Sequence, residues 1–148
     1  MKDRKHKIIF VEYKKELEEI DEKIAPLIFE IWKAGLKTCN SCQSNPKDYI
    51  WIEFCNIKNA SKFLEIVIKY DKVYGSMYWR ALNNYGSKNW LIDTSLFDCY
   101  LIDEIRNEEV VHIHKNKNNE IKVDFRVSIR FPKKDYSIIL KRMKNYNK

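Results

Sequence analysis

Cys39 and Cys42 form a Cys-x-x-Cys pair. Thiolates at this spacing can hold zinc or exchange disulfides. A zinc site needs two more donors, and His112-x-His114 could supply them, because residues i and i+2 of a strand share a face. The chain has no second Cys-x-x-Cys and no His-x3–5-His, and the two pairs lie far apart in sequence. No metal is therefore expected. The thiols read as members of a structured loop, and Asn40-Ser41 lacks the flanking strand–helix pattern of a thioredoxin-type redox pair.

A second constellation lies near the end of the chain. Residues 120–131 alternate, with Ile121, Val123, Phe125, Val127, Ile129 and Phe131 against Lys122, Asp124, Arg126, Ser128 and Arg130. Pairing this strand in a hairpin with residues 109–115 gathers His112, His114, Lys122, Asp124, Arg126, Ser128 and Arg130 on one face. Arg126 and Arg130 then lie roughly 13 Å apart and could hold two phosphates of one extended ligand. The competing reading is a solvated sheet face.

Tyr78-Trp79-Arg80 and Trp90 form a third group. An aromatic ring beside an arginine suits a stacked base and a bound phosphate, although many aromatic residues must serve the core. No acid–base pair stands out among the scattered acids. Nucleophile elbow, P-loop and His-Glu-x-x-His motifs are absent from the sequence.

These groups need elements to position them. Ile8 to Val11 predict a short strand, and residues 14–23 a charge-rich helix. Asp21 is the expected cap of an apolar stripe at helical spacing, Ile24, Leu27, Ile28, Ile31 and Trp32, with Pro26 early in it and Gly35 ending it. Residues 37–48 read as a polar connection, and Tyr49 to Phe54 as an alternating strand. Asn59 is the expected cap of a second helix, and residues 76–103 predict two or three strands. Pro132 opens a final helix bearing Tyr136, Ile139, Leu140 and Met143. The fold class expected is α+β, a two-layer, mostly antiparallel sheet with two or three helices packed on one face, in a single domain over 1–148.

Composition narrows the function classes. The chain has 148 residues, 45% hydrophobic and 33% charged, with 3 Gly and 3 Pro, which leaves little room for a linker or a glycine-rich phosphate loop. The formal charge of +7 favours nucleic acid, phosphorylated ligands or anionic surfaces, or reflects solubility in a lysine-rich proteome. The basic start is followed by four apolar residues, Ile8 to Val11, so neither a signal peptide nor a membrane span is expected. The expected compartment is the cytoplasm, with the four cysteines reduced.

Residues 21–28, Asp-Glu-Lys-Ile-Ala-Pro-Leu-Ile, and 35–44, Gly-Leu-Lys-Thr-Cys-Asn-Ser-Cys-Gln-Ser, resemble small phage and prophage proteins. In these a helix ends in G-[IL]-x-T-x-x-S-C-Q and a strand follows, here Tyr49 to Phe54. The ending from Val127 to Asp135 is similar to the close of the same proteins. The loop is more distantly similar to the methyltransferase of wybutosine synthesis in tRNA. That enzyme continues Ser-Cys-Ser-Gly-Arg, whereas this chain has Ser41-Cys42-Gln43-Ser44-Asn45 and lacks the Gly-Arg. Some small phage proteins, the Thoeris anti-defence proteins among them, sequester nucleotide immune signals in pockets between subunits.

The resemblance implies a non-catalytic sponge for a cyclic ADP-ribose-type or cyclic oligonucleotide signal. It would need no cofactor, and it would work as a homo-oligomer in the cytoplasm, the host's if the chain is phage-encoded. The expected ligand-binding residues are Trp79, Arg80, Trp90, Arg126, Arg130, His112, Ser41 and Gln43. The alternatives are a nucleic-acid-binding protein, and a tRNA- or nucleotide-modifying enzyme centred on Thr38, Ser41, Cys42 and Gln43.

Overall fold

The chain opens with a hairpin, β1 (Ile8–Tyr13) and β2 (Glu16–Asp21), paired antiparallel. Lys14 and Lys15 turn it with φ of 50° and 66°, the pair of positive values that a two-residue turn needs to match strand twist. The helix predicted over 14–23 is therefore a strand. Residues 16–19 are exposed on both faces, so a helix there would have no apolar stripe to bury, whereas pairing with β1 satisfies the backbone. Asp21 is likewise no side-chain cap; its carboxylate is used elsewhere.

A computed structural model describes residues 6–84, 86–97, 102–106, 109–113 and 124–148. Helix α1 (Ala25–Lys33) carries Pro26 in its first turn and ends at Gly35, φ 82°. There Gly35 N–H donates to Trp32 O at 2.8 Å and Leu36 N–H to Ile31 O at 3.2 Å, closing the last carbonyls. Residues predicted as a polar connection contain β3 (Thr38–Cys42), which pairs with β4 (Tyr49–Phe54). The ladder hydrogen bonds to β4 outweigh the low strand propensity of Asn40, Ser41 and Cys42. Helix α2 (Ile57–Val67) is capped by Asn56, whose Oδ1 accepts from Asn59 N–H at 2.8 Å, so the expected cap Asn59 sits inside the helix.

Helix α3 (Met77–Leu82) occupies the start of the region predicted as strands, because aromatic residues favour strands only where a sheet surface receives them. Then follow β5 (Leu91–Phe97), β6 (Ile102–Arg106), β7 (Glu109–Ile113), β8 (Asp124–Pro132) and α4 (Tyr136–Tyr146). The four-stranded sheet has the order β3-β4-β8-β5, and every pair is antiparallel. β8 is central, with β4 on one side and β5 on the other. The hairpin expected between 109–115 and 120–131 is not formed by the described residues, since β7 pairs with β6 and β8 pairs with β4 and β5. His114, Lys122 and the residues 116–119 between the two predicted strands lie outside the described residues.

Alternation in β4 and β8 decides the layers. Ile50, Ile52, Phe54, Val127, Ile129 and Phe131 are buried on one face, against Leu27, Ile28 and Ile31 of α1, Ala60, Phe63 and Val67 of α2, and Ile139 and Met143 of α4. The protein is thus an α+β fold with three helices on one sheet face. No helix among the described residues is long and apolar enough to cross a membrane.

Candidate functional site

The sheet face opposite the helices carries the polar residues of β3, β4, β8 and β5. Register places Cys42, Trp51, Arg130 and Leu91 in one row across the four strands, and Asn40, Glu53, Ser128 and Asp93 in the next. Opposed residues in an antiparallel ladder point the same way, so each row is a set of neighbours. Trp51 Nε1 donates to Ser128 Oγ. Arg126 Nη1 lies 3.1 Å from Glu53 Oε1, and the Arg130 guanidinium sits over the Trp51 ring, 5.3 Å from its centroid. Trp51 is only 7% exposed, so its ring supports the arginine and offers no open platform to a base.

Arg130 is held from a second side. Its Nε donates to Asn45 O at 3.2 Å, while among the described residues its Nη groups have no hydrogen-bond partner. Lys133 reaches the same loop. Its N–H donates to Asp48 O at 3.0 Å and its Nζ donates to Ser44 Oγ at 3.2 Å. Two cations therefore converge on the segment Ser44–Asp48, at the corner where β8 leaves the sheet.

Beside this corner three donor atoms of different kinds meet. His6 Nε2 is 2.7 Å from Asp21 Oδ2 and 3.8 Å from Cys42 Sγ. All three donor atoms lie within 4.8 Å of one another. Asp21 is 2% exposed, and Gln43 N–H donates to its Oδ2 at 2.9 Å. Gln43 Oε1 in turn accepts from Lys23 N–H at 3.0 Å. The Cys42 thiol donates to Ser44 O at 3.5 Å, which ties this cluster to the loop that Arg130 grips.

The predicted site residues fall in six separate places. Arg126 and Arg130 share the polar sheet face, as expected from the alternation of β8. Arg80 and Trp90 do come together, but around a buried carboxylate and not in an open pocket. Arg80 Nη1 and Nη2 contact Asp135 at 2.8 and 2.7 Å, Trp90 Nε1 donates to Asp135 Oδ2 at 2.9 Å, and Arg80 and Trp90 are 4% and 2% exposed. Arg80 Nε and Nη1 also donate to Gly75 O and Lys88 O, so the guanidinium is consumed by the fold. Trp79 stacks edge-on with Tyr74 and Tyr78 and donates to Asp71 O at 2.6 Å, apart from the sheet face. Gln43 is the buried strut just described, and His112 stands opposite Asp103 in the β6–β7 ladder.

Ser41 falls on the helix-facing side of β3, opposite Ile52, and lines a cleft of about 640 Å³ with Tyr13, Trp32, Lys37 and Thr38. Glu16, Glu18 and Glu19 form another wall, which makes this cleft unfavourable to phosphate. Cys39 and Cys55 are joined in a disulfide, Cα–Cα 5.3 Å, against the expectation of four reduced thiols. The register shift between Thr38 and Asn40 accompanies this cross-strand approach. Cys39 and Cys42 thus serve different partners, and the Cys-x-x-Cys pair is not one unit. His6, Asp21 and Trp51 went unrecognised as site residues, because nothing in their spacing announces that β2, β3 and β4 bring them together.

The fold and these groups define a small α+β protein with a basic corner and an adjoining thiol–imidazole–carboxylate cluster. An uncharacterised protein of Acanthamoeba polyphaga mimivirus is 30% identical over 129 residues, covering 84% of this chain and 60% of the viral protein. The chain therefore spans about 60% of the length of that relative. No family model matches the chain. No solved structure matches it.

Proposed function

We propose that the protein is a non-catalytic binder of a small phosphorylated ligand of the nucleotide class, held at the corner formed by Arg130, Lys133 and the loop Ser44–Asp48. The observation that carries this is the Arg130 geometry. Trp51 and Asn45 O fix the plane of the guanidinium, and its Nη groups have no partner among the described residues. A planar fork held in place loses little entropy on taking a phosphate bidentately. Lys133 adds a second charge, and the formal charge of +7 steers anions toward the chain.

The mimivirus relative is compatible with a viral origin, and sequestration of a host nucleotide signal in the host cytoplasm is the role that origin suggests. One such corner is too open to enclose a nucleotide, so a closed homo-oligomer completes the pocket in this reading. The β5 edge, where Leu91 and Ile92 are exposed, is the surface for that assembly.

Calorimetric titration with a panel of cyclic ADP-ribose-type and cyclic oligonucleotide signals tests the reading. We expect micromolar or tighter binding, recovery of the intact ligand after heat denaturation, and at least a tenfold loss in Arg130→Gln. No heat at high micromolar concentration, or recovery of a cleaved product, overturns it. Binding to duplex or single-stranded nucleic acid that weakens steeply with salt would instead assign the charge to a nucleic-acid partner.

A further inference from the structure

We infer that His6, Asp21 and Cys42 form a site for one transition-metal ion of the zinc class. This inference stands apart from the Arg130 reading. The three residues come from separate places: His6 precedes β1, Asp21 ends β2 and Cys42 ends β3. Their donor atoms nonetheless converge within 4.8 Å of one another. A tetrahedral zinc with bonds of about 2.0–2.3 Å holds its donors roughly 3.3–3.8 Å apart. The observed 2.7 Å between His6 Nε2 and Asp21 Oδ2 is an ion-pair distance that must open by about half an ångström. The 3.8 Å between His6 Nε2 and Cys42 Sγ already matches.

Chemistry points to the same class of ion. One nitrogen, one oxygen and one sulfur donor suit a borderline-soft ion and not magnesium or calcium, which take oxygen. A thiolate and a carboxylate carry two negative charges, which a divalent cation neutralises inside a site whose carboxylate is almost fully buried. The Gln43 N–H on Asp21 Oδ2 is the kind of outer hydrogen bond that orients a ligating carboxylate. On binding, the Cys42 thiol gives up its proton and its hydrogen bond to Ser44 O, so uptake releases a proton. Three protein donors among the described residues leave the fourth position for water or a ligand atom.

Titration of the metal-free protein with Co²⁺ tests this, because cobalt in a thiolate site shows a sulfur-to-metal charge-transfer band and visible ligand-field bands. We expect saturation at about one equivalent and displacement by Zn²⁺. Cys42→Ser should abolish the charge-transfer band. His6→Gln, with its folding checked by circular dichroism, should weaken zinc at least tenfold in competition with a chromophoric chelator. A Cys39→Ser/Cys55→Ser double variant should keep the bands. Absence of bands in the parent protein overturns the inference. So does their survival in both the Cys42 and His6 variants, or their loss in the Cys39/Cys55 variant, which would move the metal to those two thiols.

Discussion

Arg80 and Asp135 form a bidentate ion pair at 2.8 and 2.7 Å with both side chains 5% exposed, and Trp90 donates a third hydrogen bond to the same carboxylate. This joins α3 to the turn that connects β8 with α4, elements 55 residues apart in sequence. A buried pair with all its hydrogen bonds made is costly to break from one side, because the remaining charge stays buried without its partner. Arg80→Ala and Asp135→Asn are each expected to destabilise the fold by about 3–5 kcal/mol. Urea denaturation of the variants checks this. A loss below about 1 kcal/mol would place the pair in contact with water.

The Cys39–Cys55 disulfide closes a loop with a sequence separation of 16 and links β3 to the residue after β4. A closed loop of that length is worth on the order of 3 kcal/mol through the unfolded state. Reduction, or the Cys39→Ser/Cys55→Ser double variant, should lower the melting temperature accordingly. Thiol titration of the native oxidised protein should leave Cys39 and Cys55 unreactive until reductant is added. Equal melting temperatures with and without reductant would show that the bond contributes nothing.

The β1–β2 turn holds two lysines at positive φ, where a side chain beyond Cα costs roughly 1–2 kcal/mol per residue. Lys14→Asn with Lys15→Gly matches the residues this turn type prefers. The double variant should gain about 1 kcal/mol in stability, visible as a higher urea midpoint with an unchanged slope.

Burial raises the Tyr136 phenol above its ordinary 10.0, and the Leu27 backbone partly offsets this. A raised folded pKa means that the unfolded chain gives up the proton first. The contribution to stability is intact below pH 10.0 and is lost as pH rises through the folded pKa. Tyr136→Phe should therefore flatten the decline in stability measured above pH 10.0, while leaving the profile near neutrality parallel to that of the parent. Identical slopes in the two proteins above that pH would remove Tyr136 as a cause.

Periodicity alone determined much of the frame. The stripe from Ile24 to Trp32, the alternation of Tyr49 to Phe54 and of Val127 to Phe131, and the helix after Pro132 all bury the faces that their spacing predicts. Each of these segments has one apolar face, and burying it leaves a single choice of element. Where a segment lacks such a face, pairing partners decided. Glu16–Asp21 became a strand because β1 offered its backbone, Thr38–Cys42 because β4 did, and Met77–Leu82 a helix where strands were predicted. The site follows the same division. The position of Arg126 and Arg130 on the polar sheet face was legible because they alternate with core residues, whereas Arg80 and Trp90 carry the same side-chain chemistry and are buried on Asp135. The meeting of His6, Asp21 and Cys42 was set by where the β1–β2 hairpin sits beside β3, a tertiary placement between two separate sheets. A side chain's type states what it can bind, and only packing decides whether another residue of the chain has already occupied it.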